Sequence, residues 1–97
     1  MTEILKLKDS GSALGLRDLA KNLGENIKKT IIENKNIVLD FDKVDSISSS
    51  FADELIAKIM MEVGQEKFIS HVKIRNTNNF IKTMINTSVA ARMQLQK

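Results

Sequence analysis

The sequence predicts an α/β domain: a small, open, largely parallel sheet of three to four strands in the order β-α-β-α-β-α. Three observations carry this. Strand-like stretches alternate with amphipathic helical ones along the whole chain. One stretch, IVLDF from Ile37 to Phe41, is apolar enough to be the central strand, covered on both faces. The 97 residues contain no proline, no linker and no internal repeat, so residues 1–97 read as a single domain.

The elements follow in order. Glu3 to Lys8 (EILKLK) interleaves Ile4, Leu5 and Leu7 with charge, which suits a short strand with one wet face. Asp9, Ser10, Gly11 and Ser12 are turn residues. From Leu14 or Leu16 to about Asn34, apolar residues recur at steps of three or four: Leu16, Leu19, Ala20, Leu23, Ile27 and Ile31. That is an amphipathic helix. Gly24 inside it costs about 1 kcal/mol relative to Ala, a cost that close packing would explain. After the central strand, Asp42 to Ser46 is a polar connection interrupted by Val44, and Ile47 points back to the core. A second helix runs from Ser50 to about Val63, with Phe51, Ala52, Leu55, Ile56, Ile59, Met60 and Val63 as its apolar set and Gly64 as its stop. His71 to Arg75 (HVKIR) alternates as a third strand. Thr77 or Asn78 caps a short helix carrying Phe80, Ile81, Met84 and Ile85. Thr87 to Lys97 is weakly patterned and either extends that helix or frays.

Composition narrows the function. A net charge of +3 is mild, and no block of five like charges occurs. Four Phe are the whole aromatic supply, too little for a base-stacking surface, so nucleic acid is not an expected partner. Cysteine is absent, which excludes disulfides and thiolate metal sites and fits a reducing compartment. No apolar run approaches ~18 residues and Met1 to Ser10 has no signal-peptide core. The expectation is a soluble, cytoplasmic chain with no membrane partner. The one histidine, His71, is placed mid-strand as a structural residue, which leaves the serines without a catalytic base. Neither GxGxxG nor GxxxxGKS occurs. Asp40, Asp42, Asp45, Asp53 and Glu54 match no cation-binding loop and read as a cap and solvated acids. No enzyme activity, metal or cofactor is expected.

Function is expected where Ser48, Ser49 and Ser50 meet Phe51, Ala52 and Asp53. A helix starting here aims free N–H groups and its positive dipole end at the crevice beyond the strand ends. Such a site accepts an anion, including a phosphate on a neighbouring serine. The plainer reading is that Ser49 or Ser50 caps the helix, Ser50 with Asp53 forming a box-like pair worth about 1 kcal/mol. Asp53, Glu54, Lys58 and Met61 are expected on the outer side, facing solvent or a partner, with Met61 an adaptable contact.

The run LDF-x-x-V-x-x-I-x-S-S-F-A-D-E, from Leu39 to Glu54, resembles a family of STAS-like bacterial domains of unknown function. The likeness extends from about Arg17 to Arg75. More distantly the chain is similar to STAS domains, the anti-sigma-factor antagonists, which carry an Asp-Ser-Ser-Gly turn before the equivalent helix. Laid on this chain, that turn falls on Ser48, Ser49, Ser50 and Phe51, with Ser48 in place of Asp and Phe51 in place of Gly. The resemblance implies a STAS-like fold and a regulatory, protein-binding role in bacterial signalling. It implies a partner that is a histidine-kinase-like ATPase or kinase, with Ser50 as phosphoacceptor and Ser49 beside it. Asp53 and Glu54 would belong to the contact and Arg17 would meet an anion or acid. The alternative is a small-ligand or nucleotide-binding domain using the helix N-terminus at Ser48–Ser50.

Overall fold

Ile37, Val38 and Leu39 form the middle of the sheet, as their composition predicts. The structure, a computed structural model, describes residues 2–95. Its strands are β1 (Thr2–Lys6), β2 (Ala13–Leu14), β3 (Asn36–Asp40), β4 (Ser46–Ile47) and β5 (Val72–Arg75). Its helices are α1 (Arg17–Ile32), α2 (residues 49–63), α3 (Gln65–His71) and α4 (Asn79–Leu95). The main sheet is parallel, in the order β1-β3-β5. The small, open, parallel α/β architecture expected from the sequence is the one observed.

The sheet has two unlike faces. Register aligns Leu5 with Leu39 and Ile74, and Ile37 with Val72. These side chains belong to the core beneath the helices, together with Ile27, Ile31, Phe41, Phe51, Leu55, Ile56, Phe68 and Ile81. Ile4, Val38 and Lys73 share the opposite face. Ile4 there is 50% exposed, and Val38 is buried without joining the core cluster. The expectation that β3 is covered on both faces is thus corrected: helices cover one face, and on the other Val38 is shielded by its neighbours on β1 and β5.

Three further departures have physical causes. Residues 65–71 form a helix that no periodicity announces, because it is two turns long and buries only Phe68. His71 ends that helix rather than lying mid-strand, and its Nδ1 is 3.1 Å from Asn36 Oδ1. A second, two-stranded parallel sheet pairs Ala13 with Ser46 and Leu14 with Ile47. Two-residue strands leave no alternation to read. It is extended by Asp45 N–H and Ser48 N–H donating to Ser12 O and Leu14 O at 2.7 and 2.9 Å.

The helix ends follow local chemistry. α1 closes with Asn34 in the left-handed region (φ 61°), and Lys35 N–H reaches back to Thr30 O at 3.0 Å. Asn is among the few residues that enter that region readily. Asn78 caps α4, its Oδ1 accepting from Ile81 N–H at 2.8 Å. α4 then runs through the weakly patterned stretch to Leu95.

Helix α2 lies between α1 and α4. Its middle, Asp53–Ala57, is a π-helical turn. Leu55, Ile56 and Ala57 are fully buried. Gly24 faces this turn from α1: a Cβ there would lie 3.1 Å from Glu54 O and 3.4 Å from an Ile59 methyl. Close packing therefore explains the helix-interior glycine. Gly24→Val is expected to destabilise the fold by about 1–3 kcal/mol through overpacking, read as a lowered denaturant midpoint with the slope unchanged.

Candidate functional site

The serine turn is built by β4 delivering the chain to α2. Ser48 is extended (φ −82°, ψ 163°) and is the N-cap. Its Oγ accepts from Phe51 N–H at 3.0 Å and donates to Gly15 O at 3.1 Å. The cap expected at Ser49 or Ser50 is therefore one or two residues earlier, and no Ser50–Asp53 box forms. The reason is the β2–β4 pairing, which holds Ser48 against Gly15 so that its hydroxyl alone reaches both groups. Both hydrogen-bonding functions of the Ser48 hydroxyl are occupied. Ser49 is exposed and Ser50 half-buried at the first turn of the helix. Ser88 of α4 hydrogen-bonds Ser49 O at 3.4 Å.

Asp53 and Glu54 are not the open acidic patch that the sequence suggests. Asp53 receives Arg92 of α4 in a two-pronged pair, Nε to Oδ1 at 2.7 Å and Nη2 to Oδ2 at 2.8 Å. Glu54 is buried, 8% exposed, and takes Arg17 of α1 at 2.6 Å and Lys58 at 3.5 Å. Arg17 also lies 3.6 Å from Asp53. Arg17 therefore does meet acids, but those of its own chain. Lys58 is half-buried against Glu54. Met61 is half-buried and packs on the core, while Met60 is buried. Both line a hollow of about 260 Å³ with Gly64, Gln65 and Met93.

The electrostatics agree with this geometry. Arg92 holds the Asp53 carboxyl below its ordinary value, against the opposing effect of burial. For Glu54, burial pushes the carboxyl up, and Arg17 and Lys58 outweigh it, so the net direction is down. Arg92 is raised by its bond to Asp53. Asp40 is lowered by the Asn76 amide and the Asp42 N–H.

Arg92 and Ser88 are the residues that sequence reasoning missed. A signal existed: Ile81, Ile85, Ser88 and Arg92 follow at helical steps, so Arg92 extends a buried face. A cation on such a face requires an acid opposite. Among the described residues, no three His, Cys, Asp or Glu come together as a metal site, and no helix is long and apolar enough to cross a membrane.

Both carboxyls have folded-state values below their unfolded ones. Their stabilisation is therefore complete above the ordinary carboxylate range and is lost as pH falls through about 4.5 toward the folded values. Thermal melts should show wild type losing stability steeply below that point. The Asp53→Asn, Glu54→Gln double variant should be less stable at pH 7 and flatter across the acid range. Arg92→Ala should cost about 1–3 kcal/mol by denaturant unfolding at neutral pH.

Residues 20–82, almost two-thirds of the chain, match the family described as STAS-like domain of unknown function (DUF4325). No curated protein and no solved structure gives a significant match.

Proposed function

The chain belongs to the STAS-like domains of unknown function, and from that premise we propose that it is a regulatory protein-binding module with no catalysis of its own, switched at the start of α2. The observation that carries this is the division of roles among the three serines. Ser48 makes the cap, so the hydroxyls of Ser49 and Ser50 have no part in holding the turn. They sit at a helix end where a phosphate is electrostatically welcome. The two departures from the Asp-Ser-Ser-Gly pattern are compatible with this role. Ser and Asp are comparable N-caps, and Phe51 points wholly into the core.

The partner in this reading is a histidine-kinase-like ATPase or kinase of a bacterial signalling system in the cytoplasm. Ser50 is the phosphoacceptor and Ser49 lies beside it. Asp53 and Glu54 lie three and four residues on from Ser50, so all three share one side of the helix. They come with Arg17, Arg92 and Lys58, which leaves the cluster one positive charge in excess. A phosphate on Ser50 would thus compete for Arg17 rather than meet a bare acidic patch. Switching then works through α1: drawing Arg17 from Glu54 loosens the hold of α1 on α2. The competing reading, a small anionic ligand or nucleotide at the same helix end, makes no demand on a serine hydroxyl.

The test begins with affinity capture of the native ATPase on the immobilised chain. Incubation with that ATPase and ATP should add one phosphate, located by fragment mass spectrometry at Ser50 or Ser49. Ser50→Ala should remove modification at Ser50 and change stability by well under ~1 kcal/mol, whereas Ser48→Ala should cost about 1 kcal/mol as a lost cap. Absence of phosphate from residues 49 and 50, with amide shifts at 48–51 on adding ATP alone, would favour the small-ligand reading instead.

A further inference from the structure

We propose that the free edge of β5, together with α4, is a docking groove for an extended acidic peptide that joins the sheet as a fourth strand. β5 ends the strand order and pairs only with β3 among the described residues. Arg75 O accepts from Phe41 N–H at 3.0 Å, so it points toward β3. Alternation along the strand then turns the N–H and C=O of Ile74 outward. No turn, cap or loop group among the described residues bonds to either. Exposed edges are normally protected by pairing, bulges or charge.

Beside this edge lies a hollow of about 190 Å³ lined by Ile74, Thr77, Lys82, Ile85 and Asn86. Ile85 and the half-buried Ile74 make an apolar floor; Thr77, Lys82 and Asn86 make a polar rim. An edge strand facing a helix across an apolar groove is the arrangement that accepts a peptide by strand addition. Backbone bonds to Ile74 supply affinity and alternate side chains supply choice.

Charge specifies that choice. Lys73 and Arg75 flank Ile74 and project from the opposite face of the sheet. Lys73, Arg75 and Lys82 form no ion pair among the described residues. Side chains opposite one another on adjacent strands share a face. The incoming strand should therefore place an aliphatic residue beside Ile74, over Ile85, with an acidic residue on each side against Lys73 and Arg75. A second copy is the wrong occupant. Two β5 strands paired antiparallel about Ile74 would set Lys73 against Arg75, a like-charge contact that destabilises a sheet.

A random peptide library displayed on phage, panned against the full chain, tests this. Enriched sequences should carry an acidic-aliphatic-acidic core. A synthetic peptide of the enriched sequence should shift amides at residues 72–76 and 82–86. Its affinity, measured by calorimetry, should fall as salt rises from about 0.05 to 0.5 M. The Lys73→Glu, Lys82→Glu double variant should lose about tenfold in affinity or more. The Lys21→Glu, Lys29→Glu double variant, the same charge change at exposed positions of α1, should leave affinity unchanged. The proposal is overturned if nothing is enriched, if enriched peptides lack the acidic flanks, if shifts fall outside β5 and α4, or if sedimentation shows a dimer sealed through β5.

Discussion

Two adjacent carboxylates hold the helical layer together. Successive residues of a helix point about 100° apart, so Asp53 faces α4 and Glu54 faces α1. Arg92 and Arg17 answer them. A three-stranded sheet with one covered face offers its helices a narrow platform, and apolar contact alone is non-directional. The two-pronged Asp53–Arg92 pair adds the direction. Taking such charges out of water is costly, and with Glu54 buried the loss of either partner would leave a charge uncompensated. Gly24 completes the arrangement by letting α1 approach the backbone of the π-turn.

Much of the fold was legible because apolar periodicity is a local signal. The central place of IVLDF, the core side of α2 from Phe51 to Ile59, the Gly64 stop and the Asn78 cap are all written within a few residues of themselves. What escaped is either too short or too distant. The β2–β4 sheet rests on two residues in each strand. The helix of residues 65–71 buries one large side chain. The ion clamp joins residues 37 and 39 positions apart, and nothing at Arg17 or Arg92 names the partner.

The same limit explains the reading of the candidate site. From the sequence, Asp53 and Glu54 are polar positions on an amphipathic helix, and such positions face solvent by default. That default fails when a helix has neighbours on both flanks, because then its polar stripe is also an interface. Nothing local marks Ser48 as the cap, because its hold on Gly15 comes from the small second sheet. The family motif spans the turn at Ser48–Ser50, while which serine caps the helix is set by the tertiary structure.

The π-turn had a trace in the sequence. Phe51, Leu55, Ile59 and Val63 recur at strict steps of four, as do Ala52, Ile56 and Met60. On a regular helix of 3.6 residues per turn each such step drifts by about 40°, so the stripe would wind out of the core. One wider turn holds an extra residue and takes up that drift. The alignment of the serine turn with the core is therefore stored as chain length as well as in side chains. Deleting one residue between 53 and 57 would let α2 become regular with Phe51 and Ile59 seven residues apart, within about 20° of one another around the axis. Both would still face the sheet, because the π-turn is an inserted residue that the turns on either side accommodate without changing face. At its present length a regular helix would set Phe51 and Ile59 about 80° apart, so the extra residue and the wider turn go together.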